Sequence, residues 1–182
     1  ISDEPYARLA FDGNSVPSVF KYIRNAILVT SHSKDLALPG ERIGYLAANP
    51  AMDDVDLFMN GAVFCNRILG FVNAPALMQR AVALVQGATV DISAYARKCS
   101  LLCDGLADCG YAFVRPPGAF YLFPQAPIPD DVAFVKALQE ELILAVPGSG
   151  FGAAGYFRLS YAVPDSTISG SMEGFQRALE KA

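Results

Sequence analysis

The stretch TSHSKDLALPGERIGY, Thr30–Tyr45, decides how the fold of this chain is interpreted and where its candidate site lies. It directly follows the apolar run Ala26–Val29. An apolar run that ends in polar residues is typical of a buried parallel strand, which delivers side chains to the carboxyl edge of a sheet. Because open α/β sheets bind ligands at that edge, the sequence predicts an α/β fold with a binding site here.

Lys34 has the most versatile chemistry in this stretch, and it is the only lysine between Lys21 and Lys98. A lysine held at the end of a core strand loses its proton more easily than a solvated one and can then attack a carbonyl carbon. A solvated lysine in a loop is the alternative interpretation of this residue taken alone.

Three neighbours of Lys34 suit the oxygens of a phosphate group. Ser31 and Ser33 supply hydroxyls, and Arg42 supplies a planar, permanently charged guanidinium. The pair Pro39-Gly40 is a turn signal that would fold Arg42 back toward Ser31. The stretch therefore predicts an amine and an anion-binding group at one site.

The pattern Ser-x-Ser-Lys followed by Gly-x-Arg-x-Gly-Tyr resembles the cofactor-lysine motif of fold-type I, class I/II aminotransferases, which use pyridoxal 5'-phosphate (PLP). The spacing from Lys34 to Arg42 matches that family. The resemblance implies that Lys34 is the catalytic residue that holds PLP through its amine, with Ser31, Ser33 and Arg42 as further cofactor-binding residues. It also implies an α/β fold made of part of the PLP-transferase large-domain sheet plus a small carboxyl-terminal α/β domain.

Asp3 and Tyr6 lie three residues apart near the start of the chain. A carboxylate and a phenol at this spacing after a strand can face one ligand, although a surface position is the default for an isolated aspartate. The family resemblance implies that Asp3 lies against the pyridine nitrogen of PLP and Tyr6 against the phenolic oxygen of the ring. A carboxylate beside that nitrogen keeps it protonated and makes the ring an electron sink.

Arg158 lies in the apolar segment Tyr156–Tyr161, which alternation predicts to be a strand. No acidic residue lies within the segment, and an unpaired, half-buried guanidinium is costly. The arginine therefore needs an anion, either a protein carboxylate elsewhere in the chain or a ligand. The resemblance implies that Arg158 binds the α-carboxylate of the substrate.

Periodicity and turn signals predict the remaining elements. Helices are expected at Asp53–Leu69 with Asp53 or Asp54 as its cap, after Asn73–Pro75, at Asp91–Ala107, at Asp131–Glu141, and from a capping Asp165 to Leu179. Strands are expected at Ala26–Ser31, Arg42–Ala48, Ile143–Val146 and Tyr156–Ala162, with an aromatic hairpin formed by Tyr111–Val114 and Ala119–Phe123. Because the long helix that ends at Gly110 is typical of a link between subdomains, we expect a boundary near residue 105. The resemblance implies a partial large, cofactor-binding domain at 1–104, which includes this helix, and a small carboxyl-terminal domain at 105–182.

Composition and charge narrow the classes of function. The chain has 182 residues and a net charge of −4, which argues against a nucleic-acid partner, and no apolar run approaches the length of a membrane span. The four cysteines, Cys65, Cys99, Cys103 and Cys109, lack metal-ligand spacing, so we expect free thiols, no metal and a reducing, cytoplasmic compartment. The first residue is Ile1 rather than methionine, which suggests a fragment or a processed chain.

The resemblance extends over essentially the whole chain but matches only the carboxyl-terminal portion of such an enzyme. It implies transamination between an amino acid and a 2-oxo acid by a homodimer, with an isolated chain that is incomplete and inactive. The family's amino-terminal part carries a phosphate-binding loop and an aromatic residue that stacks on the cofactor. A PLP-dependent carbon–sulfur lyase and a non-catalytic, aminotransferase-like effector domain remain as alternatives.

Overall fold

Strands β1, β2 and β3 form a sheet in the first part of the chain, in that order; they span Ser2–Asp3, Ile27–Ser31 and Gly44–Ala48. The computed structural model describes all 182 residues. β2 runs parallel to β1, as its apolar run predicted, but antiparallel to β3. β3 begins at Gly44 instead of the predicted Arg42, because Arg42 has a left-handed backbone with φ 50° that cannot continue a strand.

Three helices accompany this sheet: α1 at His32–Asp35, α2 at Val55–Ile68 and α3 at Ala76–Leu84. The last two confirm the predicted helices, whereas the single-turn α1 was not predicted. Asp54 occupies the position before α2 but makes no capping hydrogen bond through its side chain. Asp53 does not cap the helix either, because its carboxylate pairs with Arg24 at 2.5 Å.

The second part of the chain has a small antiparallel sheet with three helices. Its elements are α4 at Ile92–Cys109, β4 at Tyr121–Leu122, α5 at Asp131–Glu140, β5 at Val146–Pro147, β6 at Phe157–Ser160 and α6 at Asp165–Glu180. The strand order is β4-β6-β5. All three predicted helices are present, and α4 ends at a left-handed Gly110. Asp165 does not cap α6, since Pro164 holds that position and the carboxylate of Asp165 instead pairs with Arg97 and Lys98.

The predicted aromatic hairpin is wrong. Residues 111–114 form no strand, and β4 pairs with β6 instead. The ring of Tyr111 packs between Phe134, Phe157 and Phe175, with centroid separations of 5.8 to 6.1 Å, and its hydroxyl donates to the Phe175 carbonyl at 2.9 Å. This segment was aromatic because it fills the core between helices, not because it pairs as a strand.

The predicted strand at Ile143–Val146 is also displaced. Ladder pairing starts only at Val146, opposite Arg158. Ile143 is buried, and its backbone N–H closes the end of α5 by donating to the Leu138 carbonyl at 2.9 Å. The apolar character of this segment therefore reflects helix termination and core packing before the strand begins.

The chain divides into two compact units, Ile1–Val90 and Asp91–Ala182. Helix α4 lies entirely in the second unit, whereas the boundary expected near residue 105 falls within this helix. The assignment of the two parts as a cofactor-binding domain and a small domain stays a prediction. None of the helices combines the length and apolar character needed to cross a bilayer.

Candidate functional site

The pairing of β1 with β2 places Asp3 and Ser31 on one face of the sheet. Asp3 is the register partner of Val29 in the parallel pair. Because side chains alternate along a strand, Val29 and Ser31 share the face of Asp3, and Leu28 and Thr30 occupy the opposite face. The chain remains tied to β2 just beyond β1, since the Glu4 N–H donates to the Val29 carbonyl at 2.8 Å.

Lys34 follows the end of β2 by one helical turn. Ser31 ends the strand with an extended backbone, and α1 starts at the next residue. The side chain of Lys34 is half-buried, and its Nζ lies 6.0 Å from the centroid of the half-buried Tyr6 ring. The structure thus brings together the predicted amine and the predicted phenol.

The second glycine of the motif has a steric role. Gly44 is the register partner of Ser31. A Cβ at Gly44 would lie 2.3 Å from the Thr30 carbonyl oxygen and 2.9 Å from the Ser31 Cα. Only a glycine allows β3 to approach the end of β2 this closely.

Arg42 returns toward Ser31 through its backbone but not through its guanidinium. The neighbouring Ile43 carbonyl accepts a hydrogen bond from the His32 N–H at 3.0 Å, so the backbone does turn back after Pro39-Gly40. The exposed guanidinium instead donates to the Pro39 carbonyl at 2.7 Å. The joint phosphate contact of Arg42, Ser31 and Ser33 therefore stays a prediction.

A buried charged cluster next to Lys34 was missed by the sequence reasoning. Asp35 and His32 are 5% and 6% exposed. Oδ2 of Asp35 lies 3.0 Å from Nη1 of Arg8 and 3.4 Å from Nδ1 of His32, and Oδ1 is buried without a hydrogen-bond partner. No spacing motif marks this cluster; the only signal was an acid directly after Lys34 and a base two residues after Tyr6.

A cavity of about 310 Å³ adjoins this cluster. Its lining includes Thr30, Tyr45, Arg8, His32 and Asp35. Thr30 and its register partner Tyr45 belong to the sheet face opposite Asp3 and Ser31. The cavity therefore lies behind the predicted cofactor-binding face and is not the expected cofactor position.

Arg158 lies on β6 in the second unit, and its side chain is half-buried. Its guanidinium carbon is 4.5 Å from the ring centroid of Tyr121 and 4.4 Å from that of Phe151. The ion pairs of the second unit do not include Arg158. Aromatic rings rather than a protein carboxylate thus lie next to the Arg158 guanidinium, and an anionic ligand stays its predicted partner.

The cysteines form no metal cluster. All four are free thiols, and no group of three or more His, Cys, Asp or Glu side chains converges on a common point. Cys99 and Cys103 are buried on α4 with their Sγ atoms 3.9 Å apart. The hydrogen bond from Cys103 lowers the pKa of the Cys99 thiol, which opposes the effect of burial.

Comparison with known proteins identifies the class. Residues 1–173 match the family described as Aminotransferase class I and II, and the chain belongs to this family. It is 34% identical to the aspartate/prephenate aminotransferase of Thermus thermophilus, over 100% of this chain and 48% of that protein. It is 30% identical to the aspartate aminotransferase of Bacillus subtilis, over 100% of this chain and 49% of that protein.

Solved structures confirm the predicted fold class. An amino transferase from Eubacterium rectale matches with a TM-score of 0.95 and 41% identity, covering 98% of this chain and 45% of that one. An aromatic aminotransferase from Pyrococcus horikoshii matches with a TM-score of 0.82 and 27% identity, covering 99% and 50%. The chain thus has the PLP-transferase fold and spans about half the length of the relatives it matches.

The residues of the first unit that the structure brings together have a chemistry that suits the cofactor of this family. The Lys34 amine lies near a phenol ring, and Asp3 and Ser31 share one sheet face. Because Gly44 has no side chain, the neighbouring strand β3 lies close to Ser31. An amine, a phenol, a carboxylate and a hydroxyl are the groups that a phosphorylated pyridine aldehyde requires.

Proposed function

We propose that this chain is the carboxyl-terminal portion of a PLP-dependent aminotransferase that exchanges an amino group between an amino acid and a 2-oxo acid. The main observation in support is that the Lys34 amine lies 6.0 Å from the centroid of the Tyr6 ring. Tyr6 follows the end of β1 and Lys34 follows the end of β2. Both residues occupy positions of the family motifs.

Lys34 has two tasks in this proposal. Its amine would hold the cofactor and, when free, would take a proton from the substrate Cα as general base and return one as general acid. When bound, PLP withdraws electrons from that carbon. Asp3 would favour the protonated pyridine nitrogen through its carboxylate, and Tyr6 would orient the ring through its hydroxyl.

The anionic groups are assigned to separate arginines. Arg42, with Ser31 and Ser33, binds the cofactor phosphate, since a guanidinium that donates one N–H to the Pro39 carbonyl still has four to offer. Arg158 binds the substrate carboxylate, because its guanidinium lies beside the Tyr121 and Phe151 rings and forms no ion pair with a protein carboxylate.

The isolated 182-residue chain is expected to bind PLP weakly and to be inactive. Support comes from the relatives, of whose length it spans about half, and from the exposed apolar side chains of α2 and α3, which include Leu57, Phe64 and Leu77. We propose that the complete protein is a cytoplasmic homodimer.

The test uses the complete polypeptide that carries these residues. Lys34→Ala should abolish the visible absorbance of the bound cofactor and the transaminase activity, because no other amine takes its place. Lys21→Ala, which removes an exposed lysine of the same unit, is the matched control and should leave the spectrum intact. An unchanged spectrum in Lys34→Ala would remove Lys34 from its role.

The two alternatives predict different products. An aminotransferase converts an amino acid to its 2-oxo acid only when a second 2-oxo acid accepts the amino group, whereas a carbon–sulfur lyase needs no acceptor. A non-catalytic effector domain would bind the cofactor without turnover. Product analysis with and without a 2-oxo acid separates all three.

A further inference from the structure

We propose that the ion pair between Arg8 and Asp35, supported by His32, is a positioning device that sets the distance between Tyr6 and Lys34. This inference rests on the proposed function, because it concerns the two residues assigned to the cofactor. None of the three residues is assigned a contact with substrate or cofactor, so all act through their neighbours.

The pair connects the two segments that carry the site. Arg8 lies two residues after Tyr6, and Asp35 directly follows Lys34. The turn that contains Tyr6 and Arg8 is closed by the Leu9 N–H, which donates to the Tyr6 carbonyl at 2.9 Å. Because this turn is compact, the contact of 3.0 Å between Arg8 and Asp35 fixes Tyr6 as well as Arg8.

Helix α1 depends on such external support. It consists of a single turn, and an isolated helical turn is unstable in water. The Asp35 carbonyl accepts hydrogen bonds from the Val90 N–H at 2.8 Å and from the Thr89 hydroxyl at 3.1 Å. The Asp35 side chain adds the contact to Arg8, so Asp35 anchors α1 through both its backbone and its carboxylate.

The contacts around the buried Asp35 carboxylate favour an arginine over a lysine at position 8. The Asp35 carboxylate has no partner at Oδ1, so its charge depends on the partners of Oδ2. Arg8 meets Asp35 with Nη1 while Nη2 donates to the Ala88 carbonyl at 2.7 Å. A lysine could provide the charge but not both directed contacts. Without Arg8, the buried carboxylate loses its arginine partner, and α1 loses the side-chain contact that holds it to the Tyr6 segment.

The experiment measures kinetics and cofactor absorbance in the complete protein loaded with PLP. Arg8→Gln should lower kcat by about 10- to 100-fold, since displacing a reacting group by about 1 Å can cost this much. The KM for the amino acid should change by less than about threefold, because Arg158 is untouched, and the pH midpoint of the cofactor's spectral change should shift. The kcat of Arg8→Lys should lie between those of Arg8→Gln and the parent protein.

Arg24→Gln is the matched control. It breaks the exposed pair of Arg24 and Asp53, which is also in the first unit. It should leave kcat and the spectrum unchanged, because surface ion pairs contribute little. The double variant Arg8→Gln with Asp35→Asn should be no worse than Arg8→Gln alone if the two residues act as one device.

Two results would overturn the proposal: wild-type kcat per bound cofactor in Arg8→Gln, with or without a loss of thermal stability, or a double variant that is clearly slower than Arg8→Gln. If Arg8→Gln fails to fold, the decision falls to Arg8→Lys, which keeps the charge and must lower kcat. A failure of the Lys34 assignment is separate, because it would show as cofactor absorbance that survives Lys34→Ala.

Discussion

In the second unit, α4, α5 and α6 enclose aromatic side chains such as Phe134 and Phe157, both 0% exposed. In the first unit, α2 and α3 leave apolar side chains such as Leu57 at 73% and Leu77 at 77% exposed. Burial of apolar area is the main favourable contribution to folding. The helices of the second unit therefore bury large aromatic side chains among themselves, whereas α2 and α3 of the first unit leave several large apolar side chains uncovered.

This difference predicts contrasting effects of truncating an apolar side chain. Phe134→Ala should lower the free energy of unfolding by about 3–5 kcal/mol, because it leaves a cavity in the core. The control Leu57→Ala on α2 should change it by less than about 0.5 kcal/mol, because the side chain is already exposed. Urea unfolding of the 182-residue chain, followed by circular dichroism, measures both free energies. Equal losses in the two variants would contradict the proposed difference in burial between the two units.

Two glycines, Gly44 in the first unit and Gly105 in the second, differ in what an added Cβ would meet. Gly44→Ala should destabilise the first unit by about 1–3 kcal/mol, since the new Cβ meets the Thr30 carbonyl, which belongs to paired backbone. Gly105→Ala on α4 is the matched change in the second unit. Its Cβ would meet the flexible tip of Met172, which can rotate away, so a smaller loss is expected.

The measurement for both glycine variants is hydrogen exchange at β2 and α4. Gly44→Ala should speed exchange of the β2 amides, and Gly105→Ala should leave α4 protected. Faster exchange at α4 than at β2 would contradict the steric argument.

The smallest effect concerns the exposed ion pairs of the second unit. Lys181 and Arg177 hold the pKa of Glu141 below its ordinary value of 4.5. The unfolded chain therefore takes up the Glu141 proton at a higher pH than the folded chain. The pairs stabilise the fold above pH 4.5, and this contribution is lost as the pH falls below 4.5 toward the lowered pKa.

Thermal unfolding against pH tests this expectation. The melting temperature of Glu141→Gln should fall less steeply below pH 4.5 than that of the parent chain. Glu173→Gln is the control, because Glu173 is exposed and its contact with Arg177 is long, at 3.6 Å. A parallel acid response of Glu141→Gln and the parent chain would show that these pairs do not matter.

Local patterns predicted those elements whose periodicity or end signals are strong. The helices α4 and α5 and the strand β2 follow from apolar spacing, a terminal glycine and an apolar run that ends in polar residues. The Tyr111 segment was misassigned because an aromatic run is equally suited to a strand and to a core between helices. Only the tertiary fold decides between the two.

The motif residues were predictable, but their support was not. Lys34 and Arg158 stand in specific motifs, whereas the partner of Asp35 is 27 positions away in sequence and the partner ring Phe151 lies in a glycine-rich stretch. Contacts of this kind depend on how separate segments meet in space. A single sequence carries no periodic signal for them.

The hydrogen atom that serves as the side chain at position 44 limits how this protein can be diversified in the laboratory. Any library that varies this position would mostly sample molecules in which β3 is pushed off β2 at Ser31. The next two residues, Tyr45 and Leu46, are 52% and 39% exposed. Randomisation there, with glycine held constant, offers variety at far lower structural risk.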